Sequence, residues 1–524
     1  MKKVLQFFFI IIASLLLFSC SEDMGDNPVG NQPPETGLFL YPDSTISKQP
    51  SRLHVHWWGD DKDGTILGFY FKWDGIDSVW KFTTSNDSIF ALPIGSSDTT
   101  YNFLVAAIDA EGNGKYDTQV IQNGISYNGE PFVDANKNGT YDEGEKFYDI
   151  GLIDPTPSNL NFPIKNTPPI TEWDELTVLP DTSFPVMTFK WNADDLDGVE
   201  TIQSINISLN DTTNYVSLNG SIRLVTLRVK DYNASSPEME ILINGSDQNI
   251  YPELLQGLKL NADNKFYAQA VDLSGASSKI IMLPDTGKTW YVKKPKGKLL
   301  IFDDFSGSSS DQEATNFYRN VFSTIDGGSL AGKFDEYDLA KQPLPFQNVT
   351  LLETMKLFKY AYWYSVSNPN LNLLNIITNR YLQQGGKIAF SMTFQDSSAS
   401  FAFDLSTLQG FIPIDSVSKK IPQGFLLSGA DILPTSIAVN YRPLKTTVTI
   451  SYVRTFVPNA TVTTELYELS NSQISGNVGF IKHDENNNKQ LFFIGMPLHQ
   501  CNGGDQNVDD LLKRVFIDEF GLTP

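Results

Sequence analysis

Cysteine is almost missing from this 524-residue chain, with only Cys20 and Cys501 present. Two thiols so far apart exclude the disulfide framework of small secreted domains, so packing and any bound metal have to supply stability. Basic residues are also scarce: 39 Lys and Arg stand against 61 Asp and Glu, a formal net charge of −22. Such a field repels phosphate backbones, which excludes nucleic acid as an expected partner and suits a cation-binding exported protein. Long apolar runs are confined to the first twenty residues, and nothing later in the sequence reads as a membrane-spanning helix. A chain of this length exceeds one core and predicts about three domains.

Lys2 and Lys3 precede an apolar stretch from Phe7 to Phe18, and small Ser19 comes just before Cys20. The stretch falls short of the roughly 20 residues an uncleaved anchor needs to span a bilayer. Leu17-Phe18-Ser19-Cys20 resembles the lipobox of bacterial lipoproteins. That resemblance implies a signal peptide over 1–19, cleavage before Cys20, a diacylglycerol on its thiol and an acyl chain such as palmitate on its new amino group. A lipidated Cys20 leaves Cys501 without a disulfide partner. Residues 20–36 are polar and rich in Asp, Asn, Gly and Pro, the composition of a flexible tether. Ser21 stands where an inner-membrane retention signal would place Asp, and Glu22-Asp23 resembles surface-export signals. The expected location is therefore the outer membrane, lipid-anchored, at the cell surface or on the periplasmic face.

An internal repeat sets the fold expected for the middle of the chain. His54-Val55-His56-Trp57 leads into Asp60-Asp61-Lys62-Asp63-Gly64, and Thr188-Phe189-Lys190-Trp191 leads into Asp194-Asp195-Leu196-Asp197-Gly198 at the same spacing. Phe103 to Asp109 is echoed by Phe266 to Asp272, and Pro33-Pro34 by Pro168-Pro169. Short alternating runs between Gly, Asn, Asp and Pro predict half-buried antiparallel strands, so two β-sandwiches are expected, at 37–128 and 166–295. They resemble fibronectin type III or immunoglobulin-like domains of bacterial surface proteins.

After residue 295 apolar strands alternate with amphipathic helices, which predicts an α/β domain with a mainly parallel sheet over 296–524 and a β-rich insertion near 400–477. Helices are expected at Asp311 to Ile325, Leu371 to Gln384 and Val508 to Phe520. Lys298 to Asp304, Tyr381 to Phe390 and Phe492 to His499 together resemble the flavodoxin-like class I glutamine-amidotransferase fold.

Between the sandwiches, 129–165 reads as a linker carrying a calcium loop. Asp134, Asn136, Asn138, Thr140, Asp142 and Glu145, with Gly139 at the sharp turn, satisfy the twelve-residue oxygen-donor pattern. The flanks do not read as long helices, so the segment resembles the isolated EF-hand-like loops of extracellular bacterial proteins; the plainer alternative is an acidic turn. The two Asp-Asp-x-Asp-Gly clusters fit hydrogen-bonded turns better than cation sites. Trp57 is expected in the core rather than on a glycan-stacking platform, with Trp58 open to either reading.

In the C-terminal domain Phe390-Ser391-Met392-Thr393 replaces the cysteine and the glycine-flanked elbow that catalytic amidotransferases carry. Asp303, Asp304 and His499 remain as a possible ligand pocket at the sheet edge. The expected function is a non-enzymatic binding or structural role in the cell envelope, with calcium as structural cofactor, the membrane as partner through the anchor, and glycans or other envelope proteins as further partners. The alternative is an envelope hydrolase with a site around Asp303, His499 and Cys501, which a clustering of Asp303, Ser391 and His499 around a concave pocket would favour.

Overall fold

The computed structural model describes residues 30–39, 52–93, 99–305, 311–342, 344–366, 368–394, 405–417, 425–470, 474–504 and 507–523. Cys20 and the residues expected to form a signal peptide and most of a tether lie outside the described residues. The chain forms two compact units. One comprises the residues up to Pro168 with Asp195–Thr201 and Leu273–Ala276, and the other comprises the rest.

In the first unit, strict alternation assigns the faces of the strands. Along Arg52–Asp60, Leu53, Val55 and Trp57 are buried, while His54 and Trp58 face solvent. Trp57 sits among Phe69, Phe71, Phe90 and Phe103, which come from both sheets. One sheet pairs Glu35–Phe39, Arg52–Asp60 and Asp87–Ala91; the other orders Lys81–Thr83, Ile66–Asp74, Thr99–Asp109 and Ser158–Ile164.

That last strand corrects the expected domain boundary. Ser158–Ile164 is not part of a linker but pairs with Thr99–Asp109 from Thr99↔Ile164 to Val105↔Ser158. Leu160, Phe162 and Ile164 alternate with polar residues and supply the apolar face that completes this core. Residues 110–157, with the calcium loop, are thus an excursion between neighbouring strands of the first sandwich. Within it Gln119–Gln122 and Ile125–Asn128 form a hairpin. Its turn is Asn123-Gly124, at φ of 52° and 76°, the pair of positive angles a tight hairpin turn demands.

The second sandwich repeats the plan. Ile170–Trp173, Val186–Asp194, Leu224–Val229 and Met239–Ile243 form one sheet, and Val216–Asn219, Ile202–Leu209, Phe266–Asp272 and Ile281–Leu283 the other. Trp191 takes the buried place of Trp57. Both modules have the two-sheet antiparallel arrangement of fibronectin III or immunoglobulin-like domains, and the chain is predominantly β.

Beyond residue 296, Phe334–Asp338, Leu299–Asp303, Tyr360–Ser365, Lys387–Met392 and Lys489–Ile494 run parallel in that spatial order. Ser475–His483, Thr463–Ser470 and Asp431–Pro434 continue the sheet antiparallel, so the expected insertion is an extension of the sheet that reaches His483. Leu299–Asp303 and Tyr360–Ser365 are buried throughout, as strands covered on both faces must be. Tyr318, Phe322, Leu511 and Phe516 pack on one face, and Leu351, Met355, Leu374 and Ile377 on the other. The helix from Asp311 breaks at Ile325, where Asp326 and Gly327 turn to positive φ.

The helix Asn348–Lys356 lies against the outer face of the second sandwich. Thr350 Oγ1 hydrogen-bonds Thr188 Oγ1, which also meets Thr226 Oγ1 at 2.7 Å. Around this contact Arg228 joins Glu240 and Glu353, each at 2.7 Å. Lys356 joins Glu353 and Asp247, and Arg380 joins Asp247. Glu353 and Asp247 are buried, so this network ties the sandwich to the helix and its neighbours through carboxylates that water screens little.

Candidate functional site

The C-terminal ends of the parallel strands gather several of the expected residues. Asp303 ends its strand with Oδ2 accepting from the Tyr364 hydroxyl and from Thr315 Oγ1 at 2.8 Å, and Oδ1 accepting from Phe305 N at 3.1 Å. Burial nevertheless pushes its carboxyl up to about 6. The ring of Tyr364 lies 4.4 Å from that of Tyr318, whose hydroxyl sits 3.4 Å from Ser391 Oγ and 3.3 Å from His499 Nδ1. Burial drives His499 down to about 4, so it is neutral at ordinary pH. Asp303 with Thr315 and Tyr364, and Tyr318 with Ser391 and His499, thus form two hydrogen-bonded groups that meet at the Tyr318–Tyr364 ring contact.

Asp304 joins neither group. Adjacent strand residues face opposite ways, and Asp304 Oδ2 accepts from Trp363 Nε1 at 3.1 Å and Asn370 N at 2.8 Å, among side chains of the other sheet face. The expected pocket of Asp303, Asp304 and His499 is corrected accordingly. Burial raises the Asp304 carboxyl to about 7.

The hydrolase arrangement is not assembled either. Ser391 Oγ donates to Met496 O at 2.9 Å and accepts from Leu498 N at 3.1 Å, which turns the hydroxyl into a tie between two strand ends. Its proton goes to a carbonyl rather than to a base, and His499 is reached only through Tyr318. Cys501 is fully buried with Sγ 3.4 Å from Pro497 O, and burial pushes its thiol far above the usual range, the reverse of a nucleophilic cysteine. Sequence reasoning found Asp303, Ser391 and His499 but missed Tyr318 and Tyr364. These are apolar-looking members of a helix and a strand, with no local signal of the polar role.

The residues expected to form a calcium loop are hydrogen-bonded to one another. Asp134 accepts from Asn138 N and Gly139 N, at 3.1 and 2.7 Å, and Asn138 Oδ1 accepts from Thr140 N at 2.8 Å. Asp142 Oδ2 accepts from the side-chain amides of Asn136 and Asn138, at 2.6 and 2.7 Å. Glu145 closes the loop, accepting from Ala135 N at 2.8 Å and Asp142 N at 3.0 Å. Gly139 adopts φ 77°. A bridge between Phe132 and Phe147 joins the flanks, which are extended rather than helical. Tyr141 stacks on Tyr116 at 3.8 Å with both Phe rings edge-on, clamping the base of the loop. The donor set is all hard oxygen and fits calcium in chemistry. Asp134, Asp142 and Glu145 do not bring ligand atoms within 4.8 Å of one another, so a bound cation has to draw them together and rotate the two Asn amides.

The Asp-rich clusters form turns. Asp61 Oδ1 accepts from Asp63 N and Gly64 N, and Asp195 Oδ1 accepts from Asp197 N. Trp57 is core, whereas Trp58 is 52% exposed and lies over Gly37, where any Cβ would strike its ring.

No family model matches the chain, and no curated protein matches it. Among solved structures it is similar to the fibronectin(III)-like modules of Clostridium thermocellum CbhA, at 10% identity over 49% of this chain and 94% of that one, with a TM-score of 0.15. It is also similar to a two-domain fibronectin type III segment of chicken tenascin, at 11% identity over 48% and 97%, with a TM-score of 0.20.

Proposed function

We propose that this chain is a lipid-anchored envelope protein with a non-enzymatic binding or structural role, in which two sandwiches carry a degenerate amidotransferase-like domain. The observation that carries this reading is the state of Ser391 and Cys501, whose hydroxyl and thiol are hydrogen-bonded to carbonyls in a buried setting. The strand order 2-1-3-4-5 in the parallel sheet supports a flavodoxin-like layout, and a sheet edge filled by Tyr318 and Tyr364 supports a lost active site. The lipidation of Cys20 and an outer-membrane location rest on the resemblance to lipoproteins.

Calcium held by Asp134, Asn136, Asn138, Thr140, Asp142 and Glu145 would order the excursion of the first sandwich. The test exposes the full chain to a serine-directed phosphonate and to a thiol probe, with glutamine and ester substrates assayed in parallel and thermal unfolding followed with and without calcium. No labelling, no turnover and a calcium-dependent rise in melting temperature that disappears in Glu145→Gln are expected. Turnover lost in Ser391→Ala or Cys501→Ser would establish the hydrolase instead.

A further inference from the structure

The chain has only four histidines, and two of them stand side by side on the outer face of the first sandwich. His54 and His56 are two apart on strand Arg52–Asp60, so both project to the same face. Asp87 on the neighbouring strand lies directly opposite His56 in register. The imidazole rings are 4.1 Å apart, and His54 Nε2 is 2.8 Å from Asp87 Oδ2. One ligand atom from each of the three side chains lies within 4.8 Å of the other two, the sole such group of His, Cys, Asp and Glu among the described residues. Ser85 Oγ, 3.2 Å from Asp87 Oδ1, holds the carboxylate so that Oδ2 faces the imidazoles. Such an outer contact orients a ligand before the metal arrives.

The sandwich itself does not require this set, because the second copy has Thr188 and Lys190 at the positions of His54 and His56. As an ordinary half-exposed surface pair, His54 and Asp87 add little to stability, which leaves His56 unexplained. We propose that His54, His56 and Asp87 bind one divalent transition-metal ion of the zinc class, with solvent completing a tetrahedral shell. Two neutral imidazoles and one carboxylate are zinc ligands, and three protein donors leave a fourth position open. Metal bonds of about 2.0–2.2 Å put donor atoms about 3.3–3.5 Å apart, so the 2.8 Å contact between His54 and Asp87 opens slightly, by small rotations of side chains already about half in solvent. The ligand chemistry separates this site from the calcium loop, whose donors are all oxygen.

The test is calorimetric titration of zinc chloride into the full chain, purified without a histidine tag and with calcium saturating. One zinc ion per chain is expected, with affinity at least tenfold weaker in Asp87→Asn and saturable binding lost in His54→Ala/His56→Ala. Cobalt substitution should give the intense visible absorption of a four-coordinate site in the wild type and none in the double variant. Both histidines lie on an open sheet face, so the variants' zinc-free melting temperatures should match wild type and show that folding is intact. Absence of saturable zinc binding, or binding unchanged in the double variant, overturns the proposal.

Discussion

His54 and Thr188 occupy the same position in two copies of one module, and their surroundings are opposite. The His54 side chain is 49% exposed on an uncovered sheet face; Thr188 is fully buried beneath the helix Asn348–Lys356. The inner faces barely differ, with Val55 and Trp57 matched by Phe189 and Trp191, all buried. The module therefore dictates what faces its own core and leaves the outer face to whatever lies against it. In the second copy that neighbour is the helix Asn348–Lys356, and the face has become small and hydroxylic at its centre, with ion pairs at its margin. In the first copy the same face keeps large polar side chains.

The sharpest way to break this contrast is to remove a buried charge from the covered face. Glu353→Ala leaves Arg228 and Lys356 short of their shared partner and should destabilise the second unit by about 3–5 kcal/mol in urea unfolding. A loss below about 1 kcal/mol would mean that the network is no tighter than a surface one.

Burial in the same unit also predicts a pH signature. The Asp304 carboxyl, raised to about 7, binds its proton more tightly folded than unfolded. Its contribution to stability is therefore complete below the unfolded value near 4 and lost as pH rises through 7. Asp304→Asn cannot ionise, so its stability relative to wild type should improve between pH 5 and pH 8 by on the order of 1–3 kcal/mol. His499, whose lowered value acts in the opposite sense, is present in both proteins and cancels in the difference. A difference independent of pH would show that Asp304 is ionised throughout.

The smallest effects test the matched positions directly. Thr188→Val strands the hydroxyls of Thr226 and Thr350 and should cost about 1–2 kcal/mol. His54→Thr, measured without metal, should stay within about 0.5 kcal/mol. Equal costs at the two positions would erase the distinction between the faces.

Much of this architecture is legible in the sequence because its repeat and its alternation are local. Trp57 and Trp191 mark the two cores, and the strands at 299–303, 360–365 and 387–392 fall where their apolar runs begin. Phe334–Asp338 is hidden by its acidic composition, since Asp335 is buried but pairs with Lys293 and the backbone of Lys296. Asn348–Lys356 shows no apolar stripe because it is enclosed on both sides, by the sheet through Leu351, Leu352 and Met355 and by the sandwich through Thr350 and Glu353. Ser158–Ile164 alternates clearly, yet nothing local says that its partner lies beyond a long excursion. The candidate site was legible only in part for the same reason: Asp303 and His499 declare themselves by type, while Tyr318 and Tyr364 become polar links only when helix and strand meet.

That excursion has a kinetic meaning. Pairing Thr99–Asp109 with Ser158–Ile164 closes a loop over residues 110–157, at an entropic cost of about 3–4 kcal/mol on the logarithmic scaling of loop closure, before any strand contact repays it. The hairpin at 119–128 and the Phe132–Phe147 bridge are local closures, and each formed early shortens the free chain that the final strand must bridge. On that arithmetic the edge strand Ser158–Ile164 is the costliest of these closures to form, and the decorations lower its cost.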